Sequence, residues 1–266
     1  MEKVLVSLVT HSAYKDICEN FVALFNKNWN TCTFDFIISV VGDDVRFDDI
    51  KTIYHGKHCQ LPMAIYNVMV ESDYDYCISF LGDAFINSPV DNLAVEQLLS
   101  FIQSKRINYC CLIPRIPFRL KKKTASKDTR YISVNDAYNM CFVAFIASKK
   151  FVLEEFNNIS DLEFETKYLG NTNKNNFYYD DRVILTRNIF NLEPGIDAGM
   201  WNRRAIKKLN RDNEDIIFSE RKKVPVLKSI KNNIIQVMQI FISKKQRFYL
   251  KTMISRIFKV KFMTKY

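Results

Sequence analysis

The chain opens on residues 3–10 (KVLVSLVT), an aliphatic and β-branched run closed by polar His11 and Ser12. Such a run, with almost no polar alternation, predicts a strand buried on both faces, as in a parallel sheet. The period then changes. Between Tyr14 and Lys27, Ile17, Phe21, Leu24 and Phe25 recur at helical spacing. A second strand is predicted over 34–41 (FDFIISVV), stopped by Gly42-Asp43-Asp44, then a helix over 61–71 and a third strand over 74–81 (YDYCISFL). The next helix is expected to open at Ser88, with Pro89 in its first position, Asp91 three residues after the cap, and Leu98, Leu99 and Ile102 as its apolar face. A fourth strand covers 109–113.

Beyond this point the rhythm breaks. Residues 114–136 hold Pro114, Pro117 and Lys121-Lys122-Lys123, and read as a mobile basic loop. A strand is expected over 140–147, a short helix over 151–156, a loop over 170–181 and a strand over 182–186. The alternation over the first 113 residues predicts an α/β fold, Rossmann-like, with a mostly parallel sheet flanked by helices. Sheets of this kind collect ligands beyond the carboxyl ends of their strands. Thr10, His11 and Ser12, then Gly42, Asp43 and Asp44, then Gly82 and Asp83 therefore mark the expected pocket.

Several of these residues suggest a chemistry. Thr10, Ser12 and Tyr14 offer hydroxyls and a ring to the ribose and base of a nucleotide, and Ser12 is equally a cap for the first helix. Asp83, after an apolar strand and before Phe85, presents a carboxylate at the pocket rim. It can hold a Mn2+ or Mg2+ ion, since hard cations take oxygen ligands, and such an ion would offset charge on a leaving diphosphate. The plainer reading is an aspartate that caps a turn.

Composition narrows the classes. With 266 residues, 48% hydrophobic and 26% charged, the chain suits one large domain, or one domain and an appendage, and excludes disorder and fibres. Only six glycines speak against a glycine-rich phosphate loop. Seven cysteines without CxxC spacing point to a reducing cytosol. The N-terminal run is read as a first strand rather than a signal peptide, and no apolar stretch reaches spanning length. A zinc site at His55-Gly-Lys-His58-Cys59 is set aside because no second ligand pair follows at finger spacing.

The charge is uneven. From Arg221 to Tyr266 there are 13 Lys plus Arg and no Asp or Glu, which leaves 26 basic against 29 acidic residues before it. Ile230, Ile234, Val237, Met238 and Phe241 recur at helical spacing within that stretch. Residues 1–220 are accordingly expected as the body and 221–266 as a C-terminal basic amphipathic helical appendage that meets an anionic membrane surface. Lys228, Lys231, Lys244, Lys245, Arg247 and Lys251 would make that contact, each contributing on the order of 1 kcal/mol near anionic lipid.

The order VTHSAYKDICENFVALFNKNW, then LPMAIYNVMVESDYDYCISFLGDAFINSPVDNLAVEQLLSFI, resembles bacterial GT-A-type glycosyltransferases of capsule and lipopolysaccharide gene clusters. Asp161-Leu162-Glu163-Phe164-Glu165 and Gly199-Met200-Trp201 resemble two later elements of that group. The likeness spans roughly residues 3–205. It implies a GT-A-like catalytic domain, a UDP-sugar donor, and a lipid-linked glycan acceptor met at the inner face of the plasma membrane from the cytoplasm. It implies Glu165 as the base for the acceptor hydroxyl, with Glu163 second; Asp180 and Asp181 are weaker alternatives. Asp83 would serve the diphosphate or the metal, with Asp43 near the nucleotide and Gly199 and Trp201 near the acceptor. The group's third strand ends in paired aspartates, whereas here Gly82 takes the first place; Leu162 stands near an expected tryptophan. A metal would then need Asp43 or Asp44 as a further ligand, or the 121–123 lysines would face the diphosphate instead. Two rivals remain: an inactive scaffold of a glycan assembly complex, and a nucleic-acid binder using the basic tail. Against the second, the basic residues are segregated from the body's aromatics and no binding motif appears, so nucleic acid is not an expected partner.

Overall fold

The computed structural model describes residues 2–48, 50–114, 123–134, 140–160, 163, 177–229, 249, 252, 253 and 256. Glu165, Lys121, Lys122, Lys231, Lys244, Lys245, Arg247 and Lys251 lie outside the described residues.

The central sheet contains β1 (Val4–His11), β2 (Asp35–Val41), β3 (Lys51–Tyr54), β4 (Tyr76–Leu81), β6 (Tyr109–Cys111), β7 (Thr129–Ser133), β8 (Ala144–Ser148) and β9 (Tyr178–Leu185). Their order is β3-β2-β1-β4-β8-β6-β9-β7. Four of the seven neighbouring pairs are parallel, namely β1 with β2 and β4, β2 with β3, and β6 with β9. Strand β8 runs antiparallel between β4 and β6, and β7 closes the far edge antiparallel to β9.

Side-chain alternation along β1 divides the core in two. Val4, Val6 and Leu8 pack with Ile17, Phe21 and Leu24 of α1 (Lys15–Asn28) and with Val95 and Leu98 of α3 (Asn92–Ser104). Leu5 and Val9 pack on the other side with Ile65 and Met69 of α2 (Leu61–Glu71) and Phe151 of α4 (Lys149–Glu155). Both faces are therefore covered, which is why β1 reads as a continuous apolar run.

Two short pairs flank the sheet. Strand β5 (Ala84–Ile86) lies antiparallel to β10 (Leu192–Pro194), and β11 (Ile196–Asp197) to β12 (Met200–Trp201). Helix α5 (Arg203–Asp212) follows, capped by Asn202, whose Oδ1 accepts from the amides of Arg204 and Ala205. Its sequence RRAIKKLNRD has few apolar residues, but Ala205, Ile206 and Leu209 share the buried face.

Several expectations shift. Helix α3 starts at Asn92, not near Ser88: Asp91 Oδ1 accepts from the Ala94 amide, while the Asn191 side chain takes the Pro89 carbonyl. The expected basic loop contains β7, and β9 begins four residues before the predicted strand. The start of the expected appendage is bonded to the body. Trp201 N donates to Lys222 O, Val224 N donates to Trp201 O, and Val224 is buried. Residues 222–224, beyond the change in charge near 221, are thus bonded to the body. Among the described residues, no helix is long and apolar enough to cross a membrane.

Candidate functional site

The register fixes what meets at the carboxyl edge of the parallel strands. Cα partners are His11 with Val41 and Val9 with Leu81, so the residues that follow β1, β2 and β4 emerge side by side. The first two loops are stitched together. The Asp43 amide donates to Ser12 Oγ at 2.9 Å, and Tyr54 Oη donates to the Gly42 carbonyl at 2.9 Å. Gly42 has a φ of +93°, and a Cβ there would lie 2.5 Å from Ser12 Oγ and 2.7 Å from the His11 ring. Glycine is needed for both reasons. The cap at this corner is His11, whose Nδ1 accepts from the Ala13 amide at 3.1 Å; Ser12, expected to cap, holds the second loop instead. His11 and Asp43 are exposed and Thr10 is buried.

Asp83 lies in the turn between β4 and β5. Its carbonyl accepts from the Gly195 amide at 2.9 Å, anchoring the turn to the segment after β10. The residue keeps partial exposure, but Oδ1 is closed to solvent and has no hydrogen-bond partner among the described residues. Burial pushes its carboxyl up to about 6. An unpaired buried carboxylate is costly, and such groups mark places where a ligand completes the bonding.

Gly82, on the opposite side of that peptide, packs against β1. A Cβ added there would stand 3.2 Å from Thr10 Oγ1, and the Gly82 amide donates to Val9 O at 3.1 Å. Thr10 thus lines the space that a side chain at position 82 would enter. The described residues do not by themselves form a cation site. Asp44 pairs with Arg46 at 2.8 Å and exposed Asp43 faces Lys57 at 3.9 Å, leaving one uncommitted carboxylate, Asp83. Among the described residues no three His, Cys, Asp or Glu side chains converge.

Tyr14 stands at the start of α1 beside the same edge. Its ring lies under the Arg221 guanidinium, 4.7 Å from ring centre to Cζ, and its hydroxyl approaches Gly199, where a Cβ would be 3.5 Å away. Of the expected acceptor pair, Gly199 is partly exposed, whereas Trp201 is buried away from any ligand. Trp201 is 1% exposed, stacks on Phe85 at 5.3 Å, and donates from Nε1 to Ser219 O. A Cβ at Gly195 would strike both rings. Trp201 is a core residue that clamps β12 onto β5.

Glu163 is exposed, and its Oε2 accepts from the amide (3.0 Å) and hydroxyl (2.8 Å) of Ser160, whose Oγ accepts from the Glu163 amide. This reciprocal pair is a capping box, legible in Ser160-x-x-Glu163, and it explains Glu163 without catalysis. Hydrogen bonding to Ser160 lowers its carboxyl from the ordinary value. Asp181 is also committed: Oδ2 accepts from Asn108 Nδ2 at 2.9 Å. Asn108 precedes β6, which runs parallel to β4 through antiparallel β8, so Asp181 sits at the opposite edge of the sheet. Lys228, expected at a membrane, lies 3.5 Å from Asp197.

A cavity of about 340 Å3 opens elsewhere, lined by Asn28, Asn87, Ser88, Asn191, Lys27 and Lys208 among others. It lies at the far end of α1, about 20 Å from the edge by helix rise. Its polar groups are largely committed. Asn28 Nδ2 donates to Ile86 O, Asn87 Nδ2 to Asp212, and Asn191 Nδ2 to Pro89 O; Lys27 and Lys208 pair with Asp215 and Glu193.

No protein-family model matches the sequence, and no curated protein does. Solved structures do resemble the fold. TarS of S. aureus is 12% identical over 69% of this chain and 35% of its own, with a TM-score of 0.43. Its 1–349 fragment in complex with UDP is 10% identical over 69% of this chain and 58% of that one, at 0.40. A cytidylyltransferase from Leptospira borgpetersenii is 9% identical over 64% and 68%, at 0.37. The chain therefore spans about a third of the length of TarS. Likenesses this distant carry no argument about what this chain binds.

Proposed function

We propose that the protein is a nucleotide-sugar-dependent glycosyltransferase, moving a hexose from a UDP-linked donor to a hydroxyl of a lipid-linked bacterial surface glycan of the capsule or lipopolysaccharide kind. The observation that carries the reading is the unpartnered Asp83 Oδ1 at the carboxyl edge of β1, β2 and β4. A hydroxylated, phosphorylated ligand would meet that oxygen and the polar groups of Thr10, His11, Ser12 and Asp43 beside it. The resemblance in sequence supports the same class.

In the transfer, the acceptor oxygen bonds to the anomeric carbon as the bond from that carbon to the diphosphate breaks. The acceptor proton passes to a carboxylate, for which Glu165 is the proposed base. The nucleoside diphosphate leaves with the bonding pair. A Mn2+ or Mg2+ ion, if used, would rest on Asp83 and stabilise the leaving diphosphate. The basic segment 221–266 is proposed to keep the enzyme on the inner face of the plasma membrane, where a lipid-linked acceptor is within reach. Exposed Val226 and Leu227 among Lys222, Lys223 and Lys228 support this.

An inactive scaffold is the second reading, favoured by Gly82, whose contact with Thr10 leaves Asp83 as the turn's single carboxylate. One assay separates the two. Purified protein incubated with UDP-hexoses and detergent-solubilised lipid-linked glycan should release UDP, and Glu165→Gln should bind donor but release none. Full release by Glu165→Gln removes that residue from the role, and no release by the wild type with any donor favours the scaffold.

A further inference from the structure

Arg221 opens the basic C-terminal segment, yet its guanidinium is spent on the body. Nε and Nη2 donate to the two oxygens of Asp16 at 2.6 and 2.5 Å, a two-point geometry that only a guanidinium supplies. Nη2 also donates to the Ala13 carbonyl at 2.8 Å, and Nη1 reaches the Gly199 carbonyl at 3.4 Å. Burial alone would raise the Asp16 carboxyl, but hydrogen bonds and charge from Arg221 help hold it below its ordinary value. The same guanidinium lies over the Tyr14 ring.

These contacts converge on the start of α1. Ala13 and Tyr14 follow the β1 edge in a short 3-10 turn, Asp16 lies in the first turn of α1, and Tyr14, at the helix N-cap, makes no side-chain cap bond of its own. The ring packs against the core on this side of the sheet, and a residue more than 200 positions away, Arg221, lies over it, with the Gly199 backbone near the ring's hydroxyl. A ring ordered before the ligand arrives spares the binding step that ordering cost.

We propose that Arg221 is the positioning residue of a nucleobase platform: it holds the Tyr14 ring at the sheet's carboxyl edge and thereby sets nucleotide affinity. This rests on the nucleotide-site reading above. Arg221 acts through Tyr14 and touches no reacting atom, so its loss should raise the donor KM and leave kcat near the wild-type value.

The test is a double-mutant cycle read by calorimetric titration with UDP, on protein whose fold is verified by near-ultraviolet circular dichroism. Arg221→Ala should weaken UDP about tenfold. Arg221→Lys should recover only part of that loss, because an ammonium can neither bond both Asp16 oxygens in a fork nor stack on the ring. In a Tyr14→Ala background, Arg221→Ala should cost little more, since the platform is already gone. Unchanged UDP affinity in Arg221→Ala, or losses that multiply in the double variant, would overturn the proposal while leaving the nucleotide site intact. Should Arg221→Ala not fold, Arg221→Lys carries the same test. If the wild type binds none of UDP, GDP, CMP and dTDP, the nucleotide-site reading falls and takes this proposal with it.

Discussion

The two ends of α1 are both rich in polar groups, and they treat them in opposite ways. At the far end, asparagine amides and two lysines line a cavity of about 340 Å3. Most of those groups already bond to backbone or to a carboxylate, so they hold the 188–191 turn against residues 86–90. At the near end the polar side chains include Asp83, whose Oδ1 is buried without a partner among the described residues. Polar richness alone therefore does not mark a binding site here. Among the described buried polar atoms without a partner, which include Asn213 Oδ1 near the far end, Asp83 Oδ1 is the one carboxylate oxygen, and a buried unpaired charge is the costliest kind for folding to retain.

The largest expected effect lies outside both ends. Trp201→Ala should cost about 3–5 kcal/mol of stability in chemical denaturation, as for other fully buried aromatics. A much smaller cost would show that the indole is not the clamp between β5 and β12. Next is Asp83→Asn, which should weaken UDP-sugar binding by about 10- to 100-fold, the range for a hydrogen bond to a charged group. The same variant should gain stability, and the pH dependence gives the sign. Below an ordinary value of 3.8 the carboxyl is protonated in both states and contributes nothing. Between 3.8 and about 6 the unfolded chain ionises while the folded one stays protonated, so stability falls as pH rises. Above that window the full penalty holds, and Asp83→Asn should be more stable by about 1–3 kcal/mol at pH 7.5, with no gain near pH 3.5.

At the far end the signs reverse. Asn87→Ala would remove the bonds its side chain makes to Asp212 and Asn213, which keep partners in Arg211 and the Leu209 carbonyl, and should lose about 1 kcal/mol. UDP affinity should be unchanged; if it drops as far as in Asp83→Asn, the contrast between the two ends collapses. The smallest effect belongs to Glu163→Ala. It removes one cap bond pair from an exposed turn, so a slightly lower melting temperature with undiminished transfer is expected. A loss of transfer would return Glu163 to the catalytic candidates.

The first four layers of the fold were readable because period and burial agree there. In β1, α1, β2 and α2 most apolar residues face a core covered on both sides, so predicted and observed ends differ by a residue or so. The later part was harder for physical reasons. Strand β5 has three residues, β7 lies at an edge with a register shift, and α5 is held by three apolar side chains and an Asn202 cap. None offers a period long enough to read. Strand β8 appears as a strand in the sequence, but its antiparallel direction is a property of the connections. At the site, strand ends locate Thr10, His11, Ser12, Asp43 and Asp83 together. The Arg221–Asp16 fork leaves no local trace, since a single arginine in a basic run looks like all its neighbours. Trp201 shows the converse: the resemblance of Gly199-Met200-Trp201 implied an acceptor contact, and only packing reveals the indole as core.

The most direct measurement is the map of backbone amide shifts on adding a UDP-hexose to isotopically labelled protein. Perturbations should concentrate at residues 10–14, 42–44 and 82–83, and in Asp83→Asn they should need about 10- to 100-fold more ligand to saturate. Shifts confined to Asn28, Asn87 and Asn191, or no saturable shifts with any nucleotide sugar, would contradict a donor site at the carboxyl edge.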